Sequence, residues 1–376
     1  MFEPGAEAMP AEELASLQEQ RLRGLVSRLL TAGGLQAERL RAAGVTAPDG
    51  VTLADLPRLP MVAKADFWAA YPFGMIALPA EDLVAVHGSS GTGGRPTLVA
   101  YTRADLALWA RMCARALAAA GAGPGEGLTL RAGLFGAEPW TGQMRARIEE
   151  LLGLRALDIY GLSEVIGPGV AAECLEAADG LHVNEDHFLV EAVDPETGAP
   201  VPDSAPGELV FSTVTREALP LLRYRTGDIS ALRRGTCACG RTLVRMSKVT
   251  GRRDDMLVLR GVNVYPSEVE RVLLASPALS PDYLLVVDQR DAAGRLLVCC
   301  EYKTAPASGP PPVTRAVPGA SQVPGPGELE ARLRAELGVS VAVRVLPPGT
   351  VPRSEVGKAV RVMRWRDGAP PLPGLD

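Results

Sequence analysis

Between Arg103 and Gly161 the hydrophobic period switches repeatedly, and this alternation narrows the fold more than any other feature of the chain. An amphipathic helix is expected from about Arg103 to Ala120, ended by "GAGPGEG" at 121–127. A short strand follows ("LTLRAGLFG", 128–136), then a helix ("GQMRARIEELLG", 142–153) and another strand ("RALDIYG", 155–161). Strand, helix and strand in succession predict a βαβ arrangement, and therefore an α/β architecture. From about His182 the period becomes two. "HFLVEAVDPETGAPV" and "GELVFSTVT" are expected to pair antiparallel around the turn "DPETG". After "GRRDDMLVLRG" the pattern predicts a smaller α+β unit, with a helix from Pro266 and strands at "YLLVVDQ" and "LLVCCEYK". Upstream, Leu14, Leu17, Leu22, Leu25, Val26 and Leu29 mark one face of a helix from Pro10 to about Leu30. Residues 304–327 carry Pro, Gly and Ala without periodicity and read as a disordered loop. There is no internal repeat.

Composition removes several classes of function. A chain of 376 residues, 47% hydrophobic and 22% charged, is expected to fold as two or three globular domains. Its formal charge of −5 comes with no cluster of Lys and Arg, which argues against a nucleic-acid partner. The acidic start "MFEPGAEAMPAEEL" does not resemble a secretion signal, and no apolar run is long enough to cross a bilayer. Six irregularly spaced cysteines suit reduced thiols, so the expectation is a soluble cytoplasmic protein with no membrane partner. Lysine is rare, at positions 64, 248, 303 and 358 only.

The stretch "HGSSGTGGRP" (87–96) packs hydroxyls and glycines around one turn. It lacks the Lys-Ser/Thr of an NTPase P-loop and the third glycine of a dinucleotide fingerprint. A flexible turn is one reading. The other is an anion nest, with backbone N–H groups and the hydroxyls of Ser89, Ser90 and Thr92 converging on phosphate and Arg95 at the rim.

Further motifs follow in order: "FGAEPW" (135–140), "YGLSEVIGPGVAAEC" (160–174), "RYRTGDIS" (223–230), "GRRDDMLVLRGVNVYPSEVE" (251–270) and "PRSEVGKAVRV" (352–362). With the glycine-rich turn, they make the chain resemble the phenylacetate–coenzyme A ligase family of adenylate-forming enzymes. The resemblance implies a large N-terminal domain of mixed sheets and helices (1–253) and a small α+β C-terminal domain (254–376), joined by a hinge at Asp254. It also implies residue roles. Ser89, Ser90, Gly91, Thr92, Gly93, Gly94 and Arg95 would grip the β- and γ-phosphates of ATP. The backbone of Ala137, Glu138 and Pro139 would line the adenine, and Tyr160, followed by Gly161, would stack on it. Glu164 would hold Mg²⁺, Asp228 would accept from the ribose hydroxyls, and Arg252 would fix ribose and phosphate. Lys358 would neutralise charge as a carboxylate attacks the α-phosphorus. Gly261 would let the backbone approach a pantetheine thiol in a second half-reaction. An ordinary buried aromatic at Tyr160 and a solvent-facing lysine at position 358 are the plainer alternatives.

Cys237 and Cys239, with Cys174 and His182, would complete a four-ligand shell of the structural zinc type; buried free thiols are the competing reading. The chain also departs from the family. Several dozen residues that relatives place between 121–127 and 128–136 are missing, which would shorten the central sheet and widen the acyl pocket. Gly93 and Arg95 stand where relatives usually have Thr and Lys. The resulting expectation is an ATP-dependent acid–thiol ligase for an aryl or arylacetic acid, with coenzyme A as acceptor. Transfer to a carrier-protein thiol or an amine, and a non-catalytic nucleotide-binding relic, are the alternatives, and a homodimer is left open.

Overall fold

The computed structural model describes the chain outside residues 90–95, 122–130, 137–139, 141, 254–256, 260–261, 291–294, 304–323, 354–360 and 373–376. It divides into two compact units, Met1–Trp140 with Met144–Val249, and Thr141–Gln143 with Thr250–Asp376. The sequence reading draws its boundary slightly later, at 253/254.

Three helices open the first unit: α1 (Pro4–Glu7), α2 (Ala11–Ala32) and α3 (Gly34–Ala42). Leu22, Leu25, Val26 and Leu29 of α2 are buried together with Leu40, Leu189 and Leu222, as the helical spacing requires. After α4 (Lys64–Ala69), strands β1 (Ala85–Gly88) and β2 (Leu98–Tyr101) form a separate antiparallel hairpin. The helix α5 (Arg103–Ala119) starts at a capping box, where the Thr102 hydroxyl accepts from the Asp105 N–H (3.0 Å) and Asp105 accepts from the Thr102 N–H (3.1 Å).

Then come β3 (Ala132–Gly136), α6 (Gly142–Leu152) and β4 (Arg155–Leu162). β3 and β4 pair in parallel, with Leu134 opposite Leu157, so the expected βαβ arrangement is present. The rest of the first unit is strand-rich: β5 (Gly167–Ala172), β6 (Leu181–Val183), β7 (Phe188–Val193), β8 (Pro206–Thr213), β9 (Tyr224–Arg233) and β10 (Arg245–Met246). Together they make one hydrogen-bonded path, β3-β4-β5-β6-β10-β9-β8-β7, antiparallel everywhere beyond β4. Leu108 and Met112 of α5 pack into the main core with Val170, Phe188 and Phe211.

The second unit contains β11 (Gly251–Arg252), a hairpin of β12 (Leu257–Leu259) and β13 (Val262–Val264), and α7 (Pro266–Leu274). A four-stranded sheet of β14 (Leu279–Asp288), β15 (Arg295–Tyr302), β16 (Ala342–Leu346) and β17 (Val362–Trp365) runs in the order β16-β15-β14-β17. The run "YLLVVD" is continuously apolar because β14 is covered on both faces. Tyr283, Leu285 and Val287 join one core with α7 and with α8 (Pro326–Leu337), while Leu284 and Val286 face a second core with Trp365. Pro326 and Gly327, counted within the irregular insert, instead begin α8, where the fixed φ of a first-turn proline suits a helix start. The rest of that insert, 304–323, lies outside the described residues.

Candidate functional site

Strands β4 and β9, far apart in sequence, bring two of the predicted residues into contact. The Tyr160 hydroxyl donates to the Asp228 carboxylate at 2.7 Å. Tyr160 is half-buried, and its ring stacks on Phe211 with centroids 6.0 Å apart. Asp228 is buried and anchored from its backbone, its N–H donating to the Thr226 hydroxyl, which in turn donates to the Leu209 carbonyl. The neighbouring Gly227 N–H donates to Glu208, a buried acid paired with Arg225. The "RYRTGD" motif is thus tied to β8 through Glu208 and Leu209.

The pairing of β4 with β5 shifts register between Tyr160 and Gly161. A Cβ at Gly161 would sit 1.8 Å from the Gly167 carbonyl oxygen, so only glycine fits this crossing. Beyond it the chain turns, and Val165 and Ile166 donate their N–H groups to the Leu162 carbonyl. Glu164 sits on this turn and is buried, yet among the described residues no donor is hydrogen-bonded to its carboxylate oxygens. A buried oxygen ligand left unengaged by the protein suits a hard divalent cation.

At the neck of the glycine-rich turn the Ser89 N–H donates to the Thr97 carbonyl (2.9 Å), and the Ser89 hydroxyl accepts from the Thr97 N–H (2.8 Å). Ser89 therefore closes the loop, while Ser90, Gly91, Thr92, Gly93, Gly94 and Arg95 lie outside the described residues. So do Ala137, Glu138 and Pro139, Asp254, Gly261 and Lys358. Trp140, next to the 137–139 segment, lies under the ammonium of Lys248, 4.0 Å from the ring centroid, and Lys248 also faces Asp158 at 3.6 Å. Arg252 belongs to the second unit.

The predicted metal ligands converge. One ligand atom from each of Cys174, His182, Cys237 and Cys239 lies within 4.8 Å of all the others. Cys174 Sγ is 3.8 Å from Cys237 Sγ, and Cys239 Sγ is 3.6 Å from His182 Nε2. A tight turn presents the paired cysteines: Cys237 donates its N–H to the Arg241 carbonyl and accepts from the Gly240 N–H. Burial, together with Arg241 and Arg245, pushes His182 down to about 4, which keeps its imidazole neutral and able to ligate. Burial pushes the Cys174 thiol up to about 12. Three soft sulfurs and one neutral imidazole at this spacing fit a tetrahedral zinc shell.

Two residues escaped the sequence reading. Arg216 and Tyr101 bond the backbone of the Glu164 turn, at the carbonyls of Val165 and Ile166. Among 35 arginines, one that binds only carbonyls carries no sequence mark.

The AMP-binding enzyme C-terminal domain family matches residues 261–366. The phenylacetate–coenzyme A ligase of Thermus thermophilus is 38% identical over 97% of this chain and 100% of its own length. That of Escherichia coli is 37% identical over 96% of this chain and 97% of its own. A solved 2-hydroxyisobutyryl-CoA ligase in complex with 2-HIB-AMP superposes with a TM-score of 0.84, at 24% identity, over 96% of this chain and 92% of its own. The fold is that of the adenylate-forming CoA ligases. Within that class, the chain belongs to the phenylacetate–coenzyme A ligase family of AMP-forming acid–thiol ligases. The Thermus alignment spans 450 positions, whereas 97% of 376 residues is about 365, so the chain leaves about 85 of those positions unfilled. The junction where the sequence reading places this loss, at 121–128, falls largely outside the described residues. Among the described residues no helix is long and apolar enough to cross a membrane.

Proposed function

We propose that this protein activates a carboxylic acid with ATP to an acyl-adenylate and then transfers the acyl group to coenzyme A. The observation that carries this reading is the Tyr160–Asp228 contact beside the Glu164 turn, in a chain related over its whole length to phenylacetate–coenzyme A ligases. Asp228, held through Gly227 and Thr226, orients its carboxylate toward the ribose hydroxyls, and the Tyr160 ring presents a planar surface to the base. Ser89 closes the neck of a turn whose residues 90–95 hold the triphosphate. A divalent cation held by Glu164 would supply charge neutralisation on the phosphates. Lys358 stabilises the charge that develops between the attacking carboxylate and the α-phosphate. The small domain pivots at Asp254, and Arg252 fixes ribose and phosphate. Gly261 then faces the thiol. The cluster of Cys174, His182, Cys237 and Cys239 holds a structural zinc ion, remote from the chemistry.

The acid is an aryl or arylacetic acid, but the unfilled positions imply a wider, less aromatic pocket than one built for phenylacetate. Pyrophosphate exchange into ATP over a panel of acids tests both statements. Exchange is expected with a bulkier aryl acid and weakly with phenylacetate, because each unfilled methylene-sized space costs about 1–3 kcal/mol of discrimination. Lys358→Ala is expected to lower exchange by about 10²–10³ and to spare thioester formation from preformed acyl-adenylate. Fast turnover of phenylacetate would contradict the wider pocket, and failure to bind ATP or AMP would contradict the whole reading.

A further inference from the structure

Arg216 lies between β8 and β9 and is completely buried. Among the described residues no carboxylate lies within ion-pair distance of it; its two terminal nitrogens bond backbone carbonyls instead, while Nε is left without a hydrogen-bond partner. One terminal nitrogen donates to the carbonyls of Glu164 and Val165, the latter at 2.8 Å, and the other donates to the Ala100 carbonyl at 3.1 Å. The guanidinium also covers the Tyr101 ring, 4.8 Å from its centroid, and the Tyr101 hydroxyl donates to the Ile166 carbonyl at 3.2 Å. Three consecutive carbonyls of the Glu164 turn are therefore held by two side chains stacked on each other.

The arginine is itself held in place. The N–H groups of Glu217 and Ala218 donate to Asp105 at 2.8 and 3.0 Å, and the Thr102 hydroxyl donates to Glu217 at 2.8 Å. Ala100 and Tyr101 belong to β2, the strand by which the chain leaves the glycine-rich turn. One planar fork thus links that strand to the turn carrying Glu164. Lysine keeps the charge but not the fork, so it cannot reach both anchor points at once.

We propose that Arg216 is a positioning residue for the adenylation step. It fixes the spacing between the outgoing strand of the glycine-rich turn and Glu164, so that triphosphate and cation meet at a set distance. The proposal rests on Glu164 as the Mg²⁺ ligand. Its closing experiment is calorimetric ATP binding with Mg²⁺ and with EDTA, for the wild type, Arg216→Lys, Tyr101→Phe and Glu164→Gln. In Arg216→Lys the affinity gained from Mg²⁺ is expected to fall about tenfold, and pyrophosphate exchange about 10- to 100-fold, as a displacement of about 1 Å would produce. AMP binding and thioester formation from preformed acyl-adenylate are expected to stay within about twofold. Tyr101→Phe, which keeps the ring and loses one carbonyl contact, is expected to lower the Mg²⁺ gain a few-fold.

An unchanged Mg²⁺ gain in folded Arg216→Lys overturns the proposal, as does an equal loss in both half-reactions, which would mean a merely structural role. Should Arg216→Lys not fold, an unchanged gain in Tyr101→Phe overturns it alone. If Glu164→Gln keeps the full gain, the cation reading of Glu164 fails and this proposal with it. If Glu164→Gln loses the gain while the other two keep it, only the positioning role fails.

Discussion

The Tyr160–Asp228 corner and the cysteine–histidine cluster draw on neighbouring strands of one sheet, yet they are finished in opposite ways. β9 carries Asp228 at its middle and leads into Cys237 and Cys239 beyond its end. β5 follows the Glu164 turn and runs directly into Cys174. In the cluster one ligand atom from each of the four residues lies within 4.8 Å of all the others. In the corner, Tyr160 is half-buried, and the Glu164 carboxylate accepts no hydrogen bond from the described residues. A site that must bind and release substrate keeps polar groups in reserve. A structural metal site turns its ligand atoms on one another. Fastening one end of a set of strands lets the other end hold polar groups rigidly without closing over them.

The largest expected effect tests the cluster. If the cluster holds zinc as proposed, Cys237→Ser should drop the zinc content toward none and lower the melting temperature by roughly 10 °C, since loss of a metal belongs to the most destabilising class of change. Exchange per folded molecule should change little. Both are read from metal analysis, a thermal scan and the exchange assay on one preparation. If exchange collapses while the melting temperature holds, the contrast between cluster and corner is wrong.

A smaller loss is expected at Asp228. Asp228→Asn keeps the size and an acceptor but removes the charge, and hydrogen bonds to charged groups are worth about 1.5–3 kcal/mol. The KM for ATP should rise about 10- to 100-fold with the melting temperature nearly unchanged. A large thermal shift with an unchanged KM would make Asp228 a packing residue.

How far each region could be read in the sequence follows from the physics of its contacts. Helices α2 and α5 announce themselves through apolar spacing, and β3–α6–β4 through a change of period. The cluster shows in the sequence through the one-apart pair Cys237 and Cys239, which Cys174 and His182 complete to a four-ligand N/S set. Strands β6 and β10 are too short to show any period, yet they join the two halves of the long sheet. The hold of Arg216 and Tyr101 on successive carbonyls was invisible for another reason: every residue offers a carbonyl, so the partner of such a bond leaves no trace in side-chain identity. The roles of Tyr160 and Asp228 came from resemblance; their direct contact joins two strands that are not neighbours in the sheet, which spacing along the chain cannot reveal.

The finest test is Tyr160→Phe. The ring and its stacking on Phe211 remain, and only the hydroxyl bonded to Asp228 is lost. A single hydrogen bond of this kind contributes roughly 0.5–1.5 kcal/mol net. If its task is to aim the Asp228 carboxylate, AMP affinity measured by calorimetry should fall by up to about tenfold, and the melting temperature should move by a few degrees at most. In the Asp228→Asn background the same substitution should then cost much less, because an amide no longer presents a charge for the hydroxyl to orient. Equal costs in the two backgrounds would mean that Tyr160 and Asp228 act on the nucleotide independently. The corner would then be two separate contacts, not one coupled acceptor.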